Sequence, residues 1–193
     1  MTKENIIIAA LRLFLMRGYK SVSLIDVANE VGITKGGIYH YFSSKDDLLH
    51  VSLHLLVDRF EATYRDIFSE QNTIKTVLHS LIVERSVENY FKDLLQVTES
   101  CTLDYAHFVI EVMSKFPDIK QRIEQNSLIV CESLSQKIQR AMEKGELKSG
   151  FDSFALAAVI LSLVNGQNSL GSHFQSPVVR QRMMGTVSGM LDI

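Results

Sequence analysis

Between Ser23 and Phe42 the chain admits little besides two short helices around a tight turn. Ser23 and Asp26 have the spacing of a capping box, the short acid standing in for the usual Glu. Leu24, Val27, Ala28 and Val31 then recur at i, i+3, i+4 and i+7, which makes one apolar helical face. Ala28 is small where a second helix must cross closely. Gly32 supplies the positive φ that ends the first helix. Thr34 is placed to cap the next helix, and Ile38 points back into the small core. The pattern is a helix-turn-helix, the motif that lays its second helix in a DNA major groove.

The residues of the second helix and those just beyond it are more specific. Thr34-Lys35-Gly36-Gly37-Ile38-Tyr39-His40-Tyr41-Phe42-Ser43-Ser44-Lys45-Asp46-Asp47-Leu48 resembles the recognition-helix signature of the tetracycline-repressor (TetR) family of bacterial regulators. Ala10-Leu-Arg-Leu-Phe14 and Arg17-Gly18-Tyr19 are similar to that family's first helix and its glycine stop. The resemblance spans roughly residues 6 to 49; beyond it only length and helical layout agree. It implies a homodimeric, ligand-responsive regulator, a repressor that leaves a near-palindromic operator when a small molecule binds.

The rest of the chain fits an all-α protein. Only Pro117 and Pro177 interrupt it, so long helices are allowed, and no strand pattern or internal repeat is visible. Helices are expected over about 3–17, from Ser44 to about 68, over 73–85, 87–99, 103–115 and 117–144, from Asp152 to Leu170, and from Pro177 to Met190. Ser44 and Asp47 have capping-box spacing at the start of the second of these. The division is a DNA-binding head, 1–48, and an effector-binding and dimerisation body, 49–193.

Charge and composition limit the partners. Net charge is −2, yet residues 1–50 carry six Lys and Arg against five Asp and Glu. Basic charge near the motif is local (Lys20, Lys35, Lys45), so affinity for DNA is expected from placed contacts rather than a general field. Cys101 and Cys131 lie far apart with no Cys-x-x-Cys spacing, and no charged-then-apolar leader opens the chain. Both suit a cytoplasmic protein. The longest nearly apolar run, 154–164, is too short for a bilayer, which needs about 20 residues.

Helix N-termini offer unpaired N–H groups to phosphates, and three expected helices begin at hydroxyls: Ser23, Thr34 and Ser44. Lys45 adds a point charge at the last. The resemblance implies that Tyr39, His40 and Lys45 hold the phosphate backbone while Thr34, Lys35, Gly36 and Gly37 face the bases. Packing of Tyr39 and Tyr41 within the head, and capping alone for Ser23 and Thr34, are the competing readings. Two adjacent glycines inside a short helix cost about 1 kcal/mol each relative to Ala, and closer approach to DNA is the compensation expected at Gly37.

The body must supply a dimer interface and an input. The run from Phe154 is apolar nearly all round and must be covered on two sides. Phe154, Ala158 and Leu161, with Val179, Met183, Gly185, Val187, Gly189 and Met190 of the last helix, are the expected interface, as the resemblance also implies; covering the subunit's own core is the alternative. Expected effector-lining residues, of mixed apolar and polar character, are Phe60, Tyr64, Tyr90, Phe91, Tyr105, His107, Phe108, Met113, Asn126, Cys131, Asn165 and Gln167. Their aromatic character points to an apolar or flat effector.

His50, His54 and Asp58 recur every fourth residue, but Glu61 and Arg65 extend the same stripe, which reads as a solvated face with no metal. No nucleophile–base pattern or Gly-rich phosphate loop stands out, so no catalytic residue and no cofactor are expected. The rival class is a small-molecule-binding or enzymatic helical protein whose helix-turn-helix is only structural; sequence-indifferent DNA binding would mark it.

Overall fold

Alternation of apolar positions at helical spacing yields helices alone among the described residues. A computed structural model describes residues 2–97, 108, 112, 115–169 and 172–193. Its helices are α1 (Lys3–Arg17), α2 (Leu24–Val31), α3 (Lys35–Tyr41), α4 (Lys45–Ile67), α5 (Ile74–His79), α6 (Ser86–Leu94), α7 (Pro117–Glu143), α8 (Ser153–Ser169) and α9 (Pro177–Leu191). A π-turn, Ser80–Glu84, continues α5, and a 3-10 turn, Ser172–Gln175, precedes α9. The expected helix at 103–115, the end of the one at 87–99, and Cys101, Tyr105, His107 and Met113 lie outside the described residues. None of the described helices is long and apolar enough to cross a membrane.

The described chain forms two compact units. The first comprises Met1–Phe60 and Tyr90–Glu124, and so takes in more than residues 1–48. Thr2 caps α1 by accepting from the Asn5 amide, and Gly18 closes it at φ 78°. Ile6, Ala10, Leu13 and Phe14 are buried on its inner side, as their spacing predicts. Leu24, Val27 and Ala28 of α2, Ile38 of α3 and Phe42 after it are buried as well. α1 packs on α2, and α2 on α3. Ala28 is nearly inaccessible, and Gly32 adopts the left-handed conformation at φ 72°. Burial of each large side chain here stabilises by about 1.5–3 kcal/mol.

The second unit comprises Glu61–Asn89 and Gln125–Ile193. Ile74, Val77, Leu78, Leu81 and Ile82 form a core with Leu134, Ile138, Ala157, Ile160, Met184 and Leu191. The helix expected over 73–85 is not uniform: it opens into the π-turn, and Arg85 stops it at φ 52°. Asn89 Nδ2 then donates to the Glu84 carbonyl at 2.6 Å, satisfying a group the helix end leaves unpaired. α9 starts at Pro177, as expected, with Ser176 accepting from the Val179 amide ahead of it. It packs against α5 and the π-turn. Lys148 N–H donates to the Leu191 carbonyl at 2.9 Å, tying the loop after α7 to the last turn.

Candidate nucleic-acid interface

Each short helix of the head starts at a hydroxyl, but the three hydroxyls are used differently. Ser23 and Asp26 form the reciprocal box: Ser23 Oγ accepts from the Asp26 amide at 3.2 Å, and Asp26 Oδ2 accepts from Ser23 N at 2.7 Å. Ser23 Oγ also donates to that carboxylate at 2.6 Å, so its proton is already committed. These bonds, the hydroxyl's first, hold the Asp26 carboxyl below its ordinary pKa. Thr34 Oγ1 accepts from Gly37 N at 3.1 Å, and Ser44 Oγ accepts from Asp47 N at 3.0 Å. The Ser44–Asp47 pair is half a box. Asp47 Oδ2 reaches past Ser44 to accept from Ser43 N at 2.8 Å and Ser43 Oγ at 2.9 Å.

α3 is anchored by one side chain. Ile38 is fully buried, whereas Thr34, Lys35, Gly36, Tyr39 and His40 are exposed and Gly37 is half-buried. Tyr39 keeps 49% of its surface accessible, so packing inside this unit does not explain it. Tyr41 is also exposed, its ring against His40 at 5.5 Å and Phe42 at 6.4 Å. The glycines differ. A Cβ on Gly36 would meet nothing within 4 Å, while one on Gly37 would lie 3.3 Å from Thr34 Oγ1, the capping oxygen.

Lys45 has an internal role that the sequence did not disclose. Its ammonium donates to the Tyr19 carbonyl at 3.0 Å and lies 4.2 Å from the Tyr19 ring centroid. Tyr19 O–H donates to Asp46, which also accepts from Lys115 Nζ at 2.5 Å. Lys115 holds the Asp46 carboxyl below its ordinary pKa, with Tyr19 second; the Asp46 bond raises Lys115, and burial, then Asp46, raises Tyr19. The pairing of Tyr19 with Lys115 is not legible in the sequence because 96 residues separate them.

The expected interface residues fall on two faces of the second unit. Ala158, Leu161, Met183 and Val187 pack against its own core. Val179 is half-buried. Phe154, Gly185, Gly189 and Met190 are exposed. The outward stripes are Ala155, Val159 and Ser162 on α8, and Val178, Arg182, Gly185 and Gly189 on α9. Val159, Val178 and Met190 are 64%, 69% and 66% accessible.

Tyr64 and Asn126 line a cavity of about 670 Å³ in the second unit. Phe60 and Phe91 belong to the first unit and face each other at 4.1 Å, with Tyr90 edge-on to Phe91 at 5.3 Å. Phe108 and Cys131 are buried, and burial pushes the Cys131 thiol up. Asn165 is exposed. Gln167 is 1% exposed, and neither of its side-chain polar atoms has a hydrogen-bond partner among the described residues. Sequence reasoning missed the cavity's charge. Its lining includes Glu61, Arg65, Glu70, Lys137, Arg140, Lys144 and Glu146. Lys137 Nζ donates to the Ser69 carbonyl at 2.6 Å and Arg140 pairs with Glu70 at 3.1 Å. Burial first, then Arg140, lowers the Lys137 pKa.

Residues 6–51 match the family described as "Bacterial regulatory proteins, tetR family". The HTH-type transcriptional regulator HbdR of Aromatoleum sp. is 37% identical over 59 residues, 31% of this chain and 26% of that protein. The HTH-type transcriptional regulator UidR of Escherichia coli is 22% identical over 168 residues, 86% of this chain and 79% of that one. A TetR-family transcriptional regulator from Cytophaga hutchinsonii has the same fold, with a TM-score of 0.70 at 16% identity over 98% of this chain and 94% of the other.

Proposed function

Because the chain belongs to the TetR family and is a DNA-binding transcriptional regulator, we propose that it works as a cytoplasmic homodimeric repressor. On this reading it holds a near-palindromic operator and releases it when a small molecule binds the second unit. The observation that carries the reading is the outer face of α3. Ile38 alone anchors that helix, while Thr34, Lys35, Gly36, Tyr39 and His40 face outward. An outward α3 whose first turn carries short and basic side chains is the geometry a recognition helix needs to enter a major groove. Lys35 and the Thr34 methyl contact base edges, Tyr39 and His40 hold phosphates, and DNA shape supplies the rest of the specificity.

Dimerisation follows from the outward apolar residues of α8 and α9, since Val159, Val178 and Met190 leave a patch that a second copy would cover isologously. Two heads about 34–36 Å apart then read two half-sites. For the effector, the charged lining of the cavity favours a polar or ionised molecule over the apolar one expected from the aromatics.

Selection of bound fragments from random DNA, followed by fluorescence anisotropy, tests the proposal. A two-fold symmetric consensus bound by dimers, weakened by Tyr39→Ala and by rising salt, is the expected result. Binding indifferent to sequence would defeat it.

A further inference from the structure

Two imidazoles one turn apart on α4 meet a carboxylate from the first turn of α7, all within the first unit. His50 Nε2 lies 2.6 Å from Asp118 Oδ2, and His54 Nε2 lies 3.7 Å from the same oxygen. One ligand atom from each residue falls within 4.8 Å of the others. The imidazole rings stand edge to face at 4.6 Å, and Phe116 flanks His50 at 5.1 Å. The third member is not the one sequence spacing suggested. Asp58 is drawn to Arg122, whose NH2 donates to its Oδ1 at 2.5 Å.

We propose that His50, His54 and Asp118 bind a divalent transition-metal ion of the zinc class, clipping α4 to the start of α7. The i, i+4 spacing places the two imidazoles about 5–6 Å apart at Cβ, so both reach one ion. Two nitrogens and one carboxylate suit zinc, cobalt or nickel; calcium and magnesium favour oxygen donors. Bonds of about 2.0–2.1 Å at tetrahedral angles put donor atoms about 3.4 Å apart. The observed 2.6 and 3.7 Å straddle that separation, so side-chain adjustments on the order of 1 Å admit the ion. All three side chains are solvent-accessible, which leaves the fourth position to water and makes the ion exchangeable.

Arg122 competes with the ion. Its NH1 lies 3.1 Å from His54 Nδ1. A guanidinium only donates, so Nδ1 accepts and the ring proton sits on Nε2, the nitrogen the ion needs. On binding, the proton moves to Nδ1 and Arg122 turns away, with no net proton lost from the ring. Asp58 remains available to Arg122 throughout.

The proposal stands apart from DNA recognition and is tested with the metal alone. Cobalt(II) is titrated into the purified full chain and followed by its visible d–d absorption, with zinc(II) binding measured by calorimetry. One ion per chain is expected. Affinity should fall at least tenfold in both His54→Asn and Asp118→Asn, which act at different helices, and rise several-fold in Arg122→Gln. Circular dichroism checks that each variant is folded. Absence of binding, or uptake that both substitutions leave unchanged, would overturn the site; an Arg122→Gln affinity equal to the parent would overturn the competition.

Discussion

The Lys45 ammonium donates to the Tyr19 carbonyl at 3.0 Å while standing 4.2 Å from the centroid of that residue's ring. One side chain thus joins the start of α4 to the turn after α1, and its charge is held at a fixed place beside the head. Two consequences can be separated. Lys45→Ala should lower stability by about 1 kcal/mol, the order of one partly exposed charged hydrogen bond with its cation–π contact. It should also reduce the salt dependence of operator binding by about one unit if the ammonium faces a phosphate. Anisotropy titrations at four salt concentrations, set beside a urea melt, read both. An unchanged slope with the same stability loss would leave Lys45 a structural residue.

Asp46 accepts from both Tyr19 and Lys115, and its carboxyl is held low in the folded state, mainly by Lys115. A depressed carboxyl contributes stability above its unfolded pKa, near 3.9, and loses it as pH falls through the folded value. Asp46→Asn should therefore melt below the parent at pH 7, and the two should converge as pH falls below about 4. Parallel curves across that window would count against the network.

Gly36 offers a cleaner test of close approach than Gly37, because added bulk at Gly37 presses on the Thr34 cap. Gly36→Ala should raise the stability of the free protein by about 1 kcal/mol through helix propensity. If DNA lies against that backbone, operator affinity should nevertheless fall. A variant more stable and equally tight would mean that the glycine serves something else.

The two faces of α8 and α9 predict opposite phenotypes. Val159→Glu and Met190→Glu alter outward side chains and should shift sedimentation toward monomer with little change in helix content. Met184→Ala, at a buried position, should instead cost about 2–3 kcal/mol of fold stability. A Val159→Glu chain that still sediments as a dimer would move the interface elsewhere.

Local chemistry made much of this protein readable. The Ser23–Asp26 box, the Gly32 stop, the Thr34 cap and Ile38 as anchor of α3 all depend on residues within a few positions of one another, so side-chain type and spacing suffice. The same holds for Pro177 at the start of α9. Helix ends defined by Lys3, Arg17 and Pro117 are legible for the same reason.

What tertiary structure alone decided involves partners far apart in the chain. Lys45 meets Tyr19, Asp46 meets Lys115, and Asp118 rather than Asp58 joins His50 and His54, across separations that no periodicity encodes. Spacing also placed Val179, Met183 and Val187 on one stripe without saying which side it faced. The fold turned Met183 and Val187 onto the subunit's own core and left Val178, Gly185 and Gly189 outward. Helical period fixes which residues share a face; only packing against distant elements fixes what that face meets.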